Sequence, residues 1–132
     1  MADSIYFTAS DITDNVLGEF VTTDDNAYLL EGDLEIIDQA ERLGARDTDL
    51  IESPLHYKFK RYGIAFICRR IAQDKMGTNN VELADIEKYS VKYEVYAREE
   101  DRLRQQLSYE MITGNITQIR DRTIVSGTVF RG

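Results

Sequence analysis

Apolar positions along this chain recur mostly at steps of three and four residues, the period of helices, and seldom at every second residue, the period of strands. The first such run is Ile12, Val16, Leu17 and Phe20 in DITDNVLGEF. Ser10 before it offers a hydroxyl to an orphan N–H, and Asp11 suits the positive end of the dipole, so a short helix is expected over 11–20. TTDDNAYLLEGD then reads as a turn, through Asp24, Asp25, Asn26 and Gly32. Asp33 is placed to cap a second helix over about 34–43, with Ile36, Ile37, Ala40 and Leu43 inward and Gly44 as its stop. After the connector RDTDLIESP, Ser53 followed by Pro54 is a start signal, because proline has no N–H to lose at a first helical position. The third helix is expected over 54–76, closing at Gly77.

In that helix Leu55, Phe59, Tyr62 and Phe66 step by four, three and four, while Ile64, Ile67 and Ile71 form a second apolar line. A helix apolar over so much of its circumference belongs in the middle of a bundle, with Phe66 and Ile67 midway along it. Lys58, Arg61 and Arg69 nevertheless share one flank, falling within about a fifth of a turn of each other. Beyond the GTNN loop a longer helix is expected over 85–112, opened by Asp85 and ended by Thr113 and Gly114. Ile86, Tyr89, Tyr93, Tyr96, Leu103 and Leu107 keep a three-four alternation along it that is broken once, at Glu100. The sum is an all-α fold: a small bundle of about four helices, two of them long, in a domain over 1–114, followed by an extended tail over 115–132.

Composition narrows the class. A chain of 132 residues, 42% hydrophobic, supports one ordinary core. No apolar stretch approaches a membrane span, and MADSIYFTASD lacks the basic and apolar regions of an export signal, so a soluble protein is expected. The lone Cys68, inside the apolar run IAFIC, reads as a buried free thiol and points to a reducing compartment. Residues 1–52 carry fourteen acids against two bases, whereas residues 53–75 carry six bases against one acid. Such a split points to charge complementarity, within one chain or between copies. The overall charge of −8 disfavours sequence-reading contacts with phosphate backbone.

Catalytic signals are sparse. There is no phosphate-binding glycine loop, no CxxC and no HExxH, and His56 is the only histidine. Glu52 and His56 lie four apart, yet Pro54 stands between them at a helix boundary and no further ligands accompany them, so His56 reads as a helix-start residue. Asp47 with Asp49, and Asp24 with Asp25, lack the spacing of a calcium loop and read as caps or solvated surface. No enzyme, no metal site and no cofactor are expected. Lys58, Arg61 and Arg69 are assigned to a subunit contact, with a phosphate patch as the alternative.

The whole-chain order is the stronger signal. IYFTASDI at the start, a short acidic helix, IESPLHYKFKRYGIAFICRRIAQDKMG, the long EKYSVKYEVYAREEDRLRQQLSYEMITG and a tail closing on VFRG together resemble the head-tail connector (adaptor) proteins of tailed bacteriophages. The resemblance implies a structural virion protein of the neck, assembled in the host cytoplasm. It further implies a homo-oligomeric ring of twelve copies between the portal protein and a downstream neck or tail protein, with DNA passing through non-specifically. In such proteins the tail reaches the portal; here Arg120, Arg122, Ile124, Val125, Val129, Phe130 and Arg131 would carry that contact. The β-branched TIVSGTV suits addition of a strand to a partner's sheet edge. The rival class is a small acidic helical protein that regulates or binds nucleic acid through KFKR and RR.

Overall fold

The computed structural model describes residues 2–77 and 83–114. They form an all-α bundle of four helices, α1 (Ala27–Arg42), α2 (Tyr57–Met76), α3 (Leu83–Arg104) and α4 (Tyr109–Thr113), with no strand among the described residues. Three single 3-10 turns, Ala9–Asp11, Gly18–Phe20 and Thr48–Leu50, punctuate the connections. α2 is the central element: α3 packs along one side of it, α1 along another, and α4 closes one end. Phe59, Tyr62, Ala65, Ile67, Cys68, Ile71 and Ala72 are all buried, which takes in most of the circumference of α2, as its two apolar lines require. No described helix is long and apolar enough to cross a membrane.

The expected first helix over 11–20 is replaced by two 3-10 turns. Asp14 explains the difference: its carboxylate accepts the Val16 and Leu17 amides, each at 2.9 Å, taking donors that a continuing helix would otherwise direct to backbone carbonyls. Ile12 and Leu17 still reach the core, presented by turns rather than by a helical face.

α1 begins seven residues before the expected start. Asn26 caps it by accepting the Tyr28 amide at 2.9 Å, so the turn-like Asp24–Asp25–Asn26 is the approach to a helix and Gly32 lies inside it. Asp33 is therefore no cap. It is buried mid-helix, and its carboxylate accepts Ser4 Oγ at 2.7 Å and the amides of Ile5 and Tyr6 at 2.8 and 3.0 Å. Gly44 ends the helix as expected, with φ +106°.

That grip sets the path of the N-terminal arm and drives Phe7 between α1 and α2. The ring occupies space left by two glycines: a Cβ on Gly63 would stand 2.1 Å from Phe7 Cζ, and one on Gly32 would stand 2.7 Å from Ile67 Cδ1 and 3.1 Å from Phe7 Cε2. Lys60 closes the arrangement, with Nζ 5.2 Å from the Phe7 ring centroid, 2.6 Å from the Tyr6 carbonyl oxygen it donates to, and 3.0 Å from the Asp11 carboxylate.

α2 starts at Tyr57 and not at Pro54. His56 is the cap, its Nδ1 accepting the Lys58 amide at 3.1 Å, and the cis Ser53–Pro54 peptide precedes the helix. Within α2, Ile67 is fully buried, whereas Phe66 is half-buried with the Arg69 guanidinium 5.1 Å from its ring centroid. The single long helix expected over 85–112 is two. α3 stops at Arg104, Ser108 caps α4 by accepting the Met111 amide, and Gly114 ends it at φ +63°. Leu107 and Ile112 are both buried, yet five residues apart they would point about 140° apart on one continuous helix; the break turns both inward.

Candidate functional site

Acids and bases meet largely within the chain. Lys60 reaches Asp11 at 3.0 Å, Arg70 reaches Glu31 at 3.0 Å and Lys92 reaches Asp14 at 2.9 Å, so acids of the N-terminal third are answered by α2 and α3 of the same copy. Arg61 and Arg69, expected at a subunit contact, lie beside acids of α3: Arg61 to Glu99 at 3.1 Å and Arg69 to Glu100 at 2.7 Å. Lys58, half-buried at the start of α2, contributes only its amide to the His56 cap among these contacts. The three bases share a flank, as their spacing requires, and Arg61 and Arg69 on it face α3.

Glu100 is the residue that interrupts the apolar seam of α3. Its carboxylate is buried and held from two sides, by Arg69 Nε at 2.7 Å and by Arg104 at 3.2 Å. Arg104 also reaches the Tyr62 hydroxyl, which donates to Glu35 Oε2 at 2.5 Å, and Gln39 donates to the same Glu35 oxygen at 3.0 Å. Burial, then the Glu35 bond, pushes the Tyr62 hydroxyl well above its ordinary pKa, so it remains a proton donor. The chain of contacts runs from α1 through α2 to α3 and fixes their mutual register.

A second cluster is centred on Asp14. Burial alone would raise its pKa; hydrogen bonds from Lys92, from the Tyr96 hydroxyl at 2.7 Å and from the Leu17 and Val16 amides outweigh that and hold the carboxyl at about 2. Cys68 lies beside this cluster, and burial, with the Asp14 charge, pushes its thiol up to about 12, which leaves it a protonated, unreactive core residue. Because the folded pKa of Asp14 is depressed, its contribution is complete above the ordinary value of 3.8 and fades as pH falls toward 2. Asp14→Asn is accordingly expected to lose about 2 kcal/mol at neutral pH and to show a flatter fall in stability below pH ~4, measured by urea unfolding across pH.

Glu52 and His56 are brought to one end of the bundle. With Ser108, Glu110, Met111 and Gly114 they line a shallow hollow of about 250 Å³. The Glu52 amide donates to the Ile112 carbonyl at 2.7 Å, and a Cβ on Gly114 would stand 2.3 Å from Glu52 Oε2, so the chain leaves α4 against this carboxylate. His56 Nδ1 is committed to its cap and the ring stacks on Tyr57, with centroids 4.7 Å apart. No group of three or more His, Cys, Asp or Glu among the described residues is placed to hold a metal ion.

Inside the bundle the polar groups are saturated: no described buried side-chain nitrogen or oxygen lacks a hydrogen-bond partner. The outside differs. Leu34 on α1 is 63% exposed, and Val91 and Val95 on α3 are 61% and 53% exposed. Arg120, Arg122, Ile124, Val125, Val129, Phe130 and Arg131, expected to bind a partner, lie outside the described residues. Sequence reasoning missed Phe7, Asp14, Glu35 and Gly63 and gave Asp33 and Gly32 other roles, a cap and a turn; the one readable signal among the polar clusters was the interruption at Glu100. No family model matches the chain, and no curated protein or solved structure matches it either.

Proposed function

We propose that this chain is a structural subunit of a tailed-phage neck, a head-tail connector that forms a ring between the portal and the tail and lets DNA pass. It performs no enzymatic step and needs no cofactor. The observation that carries the proposal is the contrast between inside and outside: no described buried polar side-chain atom lacks a hydrogen-bond partner within the chain, while Leu34 on α1 and Val91 and Val95 on α3 stand exposed. In this reading those exposed side chains serve protein contacts. The order of elements that resembles the connectors supplies the identity of those partners.

Residues 115–132 supply the portal contact, through the apolar pairs Ile124–Val125 and Val129–Phe130 and the steering charges Arg120, Arg122 and Arg131. Ordering such a segment costs about 1–2 kcal/mol per residue, so it stays bound only in a groove that buries those side chains and pairs the backbone. A chain cut after Gly114 is expected to keep its helical circular dichroism and its melting temperature while losing retention on immobilised portal. A synthetic 115–132 peptide is expected to compete for the site. Full retention of the truncated chain would contradict the assignment of the anchor.

The nucleic-acid alternative is weakened by charge already spent. Of the five bases of KFKR and RR, four, Lys60, Arg61, Arg69 and Arg70, each pair with an acid of this chain. Steeply salt-dependent retention on DNA would favour that alternative instead.

A further inference from the structure

The two outer helices carry matching stripes. On α1, Leu30, Leu34, Asp38 and Glu41 lie within about 40° of Leu34 at ~100° per residue; Glu31, some 60° away, is paired with Arg70. On α3, Lys88, Val91, Val95, Arg98 and Arg102 fall within a similar arc, and Arg102 also pairs with Glu99 of its own helix at 2.8 Å. The first stripe is apolar then acidic, and the second is apolar and basic. Each runs over about 20 Å of helix at 1.5 Å per residue. Both helices pack on α2, and contacts between α1 and α3 are minor, so neither stripe covers the other within one copy.

We infer that the outer stripe of α1 in one copy packs in parallel against the outer stripe of α3 in the next copy of this chain. A register of about sixty residues sets Leu30 against Val91, Leu34 against Val95, Asp38 against Arg98 and Glu41 against Arg102. The two contacting surfaces are different, so the contact is heterologous and leaves each copy one open face of each kind; repetition closes a ring or extends a filament. A single helix-to-helix contact of this length is small beside the interface of a stable dimer, so it is weak alone and is strengthened when several copies are held together on a partner. The inference rests on the assembly reading above and adds the surfaces that make the assembly.

Cysteine pairing tests it in the full-length chain, because both target positions are exposed and the native Cys68 is buried. Leu34→Cys and Val95→Cys variants, mixed and oxidised with diamide, are expected to form a disulfide dimer roughly tenfold faster than Leu34→Cys mixed with Tyr57→Cys, an exposed position off both stripes. A Leu34→Cys/Val95→Cys double variant is expected to give a ladder of multimers, and neither single variant alone a prompt dimer. Homodimers forming as fast as the mixed dimer would make the contact isologous and overturn the inference, as would a mixed rate equal to the control. Portal retention is measured separately. Retention without the mixed dimer rejects these faces and leaves the connector reading standing, whereas the mixed dimer without retention keeps the contact and rejects the connector reading.

Discussion

Phe7→Ala is expected to destabilise the bundle by about 3–5 kcal/mol, a large part of the ~5–15 kcal/mol that holds a domain of this size together. Phe7 is almost fully buried, and its ring is the side chain that α1 and α2 share at Gly32 and Gly63. The cavity cannot readily collapse, because Asp33 fixes the amides on either side of Ile5 and Lys60 holds the Tyr6 carbonyl. The converse change is also costly. In Gly63→Ala the new methyl would stand 2.1 Å from Phe7 Cζ, so the ring must leave its seat. Because the two changes act on one space, the Phe7→Ala/Gly63→Ala double variant is expected to be more stable than the sum of the single costs indicates. Urea unfolding of the four proteins measures the coupling; strict additivity would show that the ring does not fill that space.

The second large effect is expected at Glu100. Glu100→Leu restores the apolar seam of α3 on paper, yet should cost about 3–5 kcal/mol, since it leaves the Arg69 guanidinium, only 19% exposed along its side chain, without its counter-charge and with Gln73 Oε1 as its remaining hydrogen-bond partner. Arg104, at 39%, can turn to water. Adding Arg69→Met to Glu100→Leu is therefore expected to recover most of the loss. A Glu100→Leu variant as stable as the parent in thermal and urea unfolding would show that Arg69 finds water without Glu100.

The sequence displayed the helices whose cores are periodic and hid the structure that depends on single side chains. α2 was legible because its apolar residues surround it and Gly77 ends it; α3 was legible through its tyrosine and leucine steps. Their starts and breaks were not. His56 took the cap that Ser53 was expected to provide, Asn26 opened α1 seven residues early, and Ser108 divided what the heptad spacing joined. In each case a side-chain acceptor competed with a local signal of similar strength, and only packing decides such contests. The N-terminal turns were misread for a related reason: Ile12, Val16, Leu17 and Phe20 have helical spacing, but Asp14 consumes the amides that a helix needs.

The charge split was legible and its partners were not. An acidic first third and a basic middle segment are equally compatible with pairing inside a copy or between copies; Lys60–Asp11 and Arg70–Glu31 are inside, and Arg61 and Arg69 turn to α3. Asp33 was visible as a capping type, yet its role as the clasp of the N-terminal arm depends on residues nearly thirty positions away. The exposed stripes of α1 and α3 could be recognised only once the inward faces of those helices had been assigned.

Negative-stain electron microscopy of the full-length chain mixed with its portal tests the connector proposal most directly. The proposal predicts class averages in which extra density forms a closed ring on one face of the portal, present with the full chain and lost with the chain cut after Gly114. Bare portal particles at saturating concentrations of the full chain would contradict it.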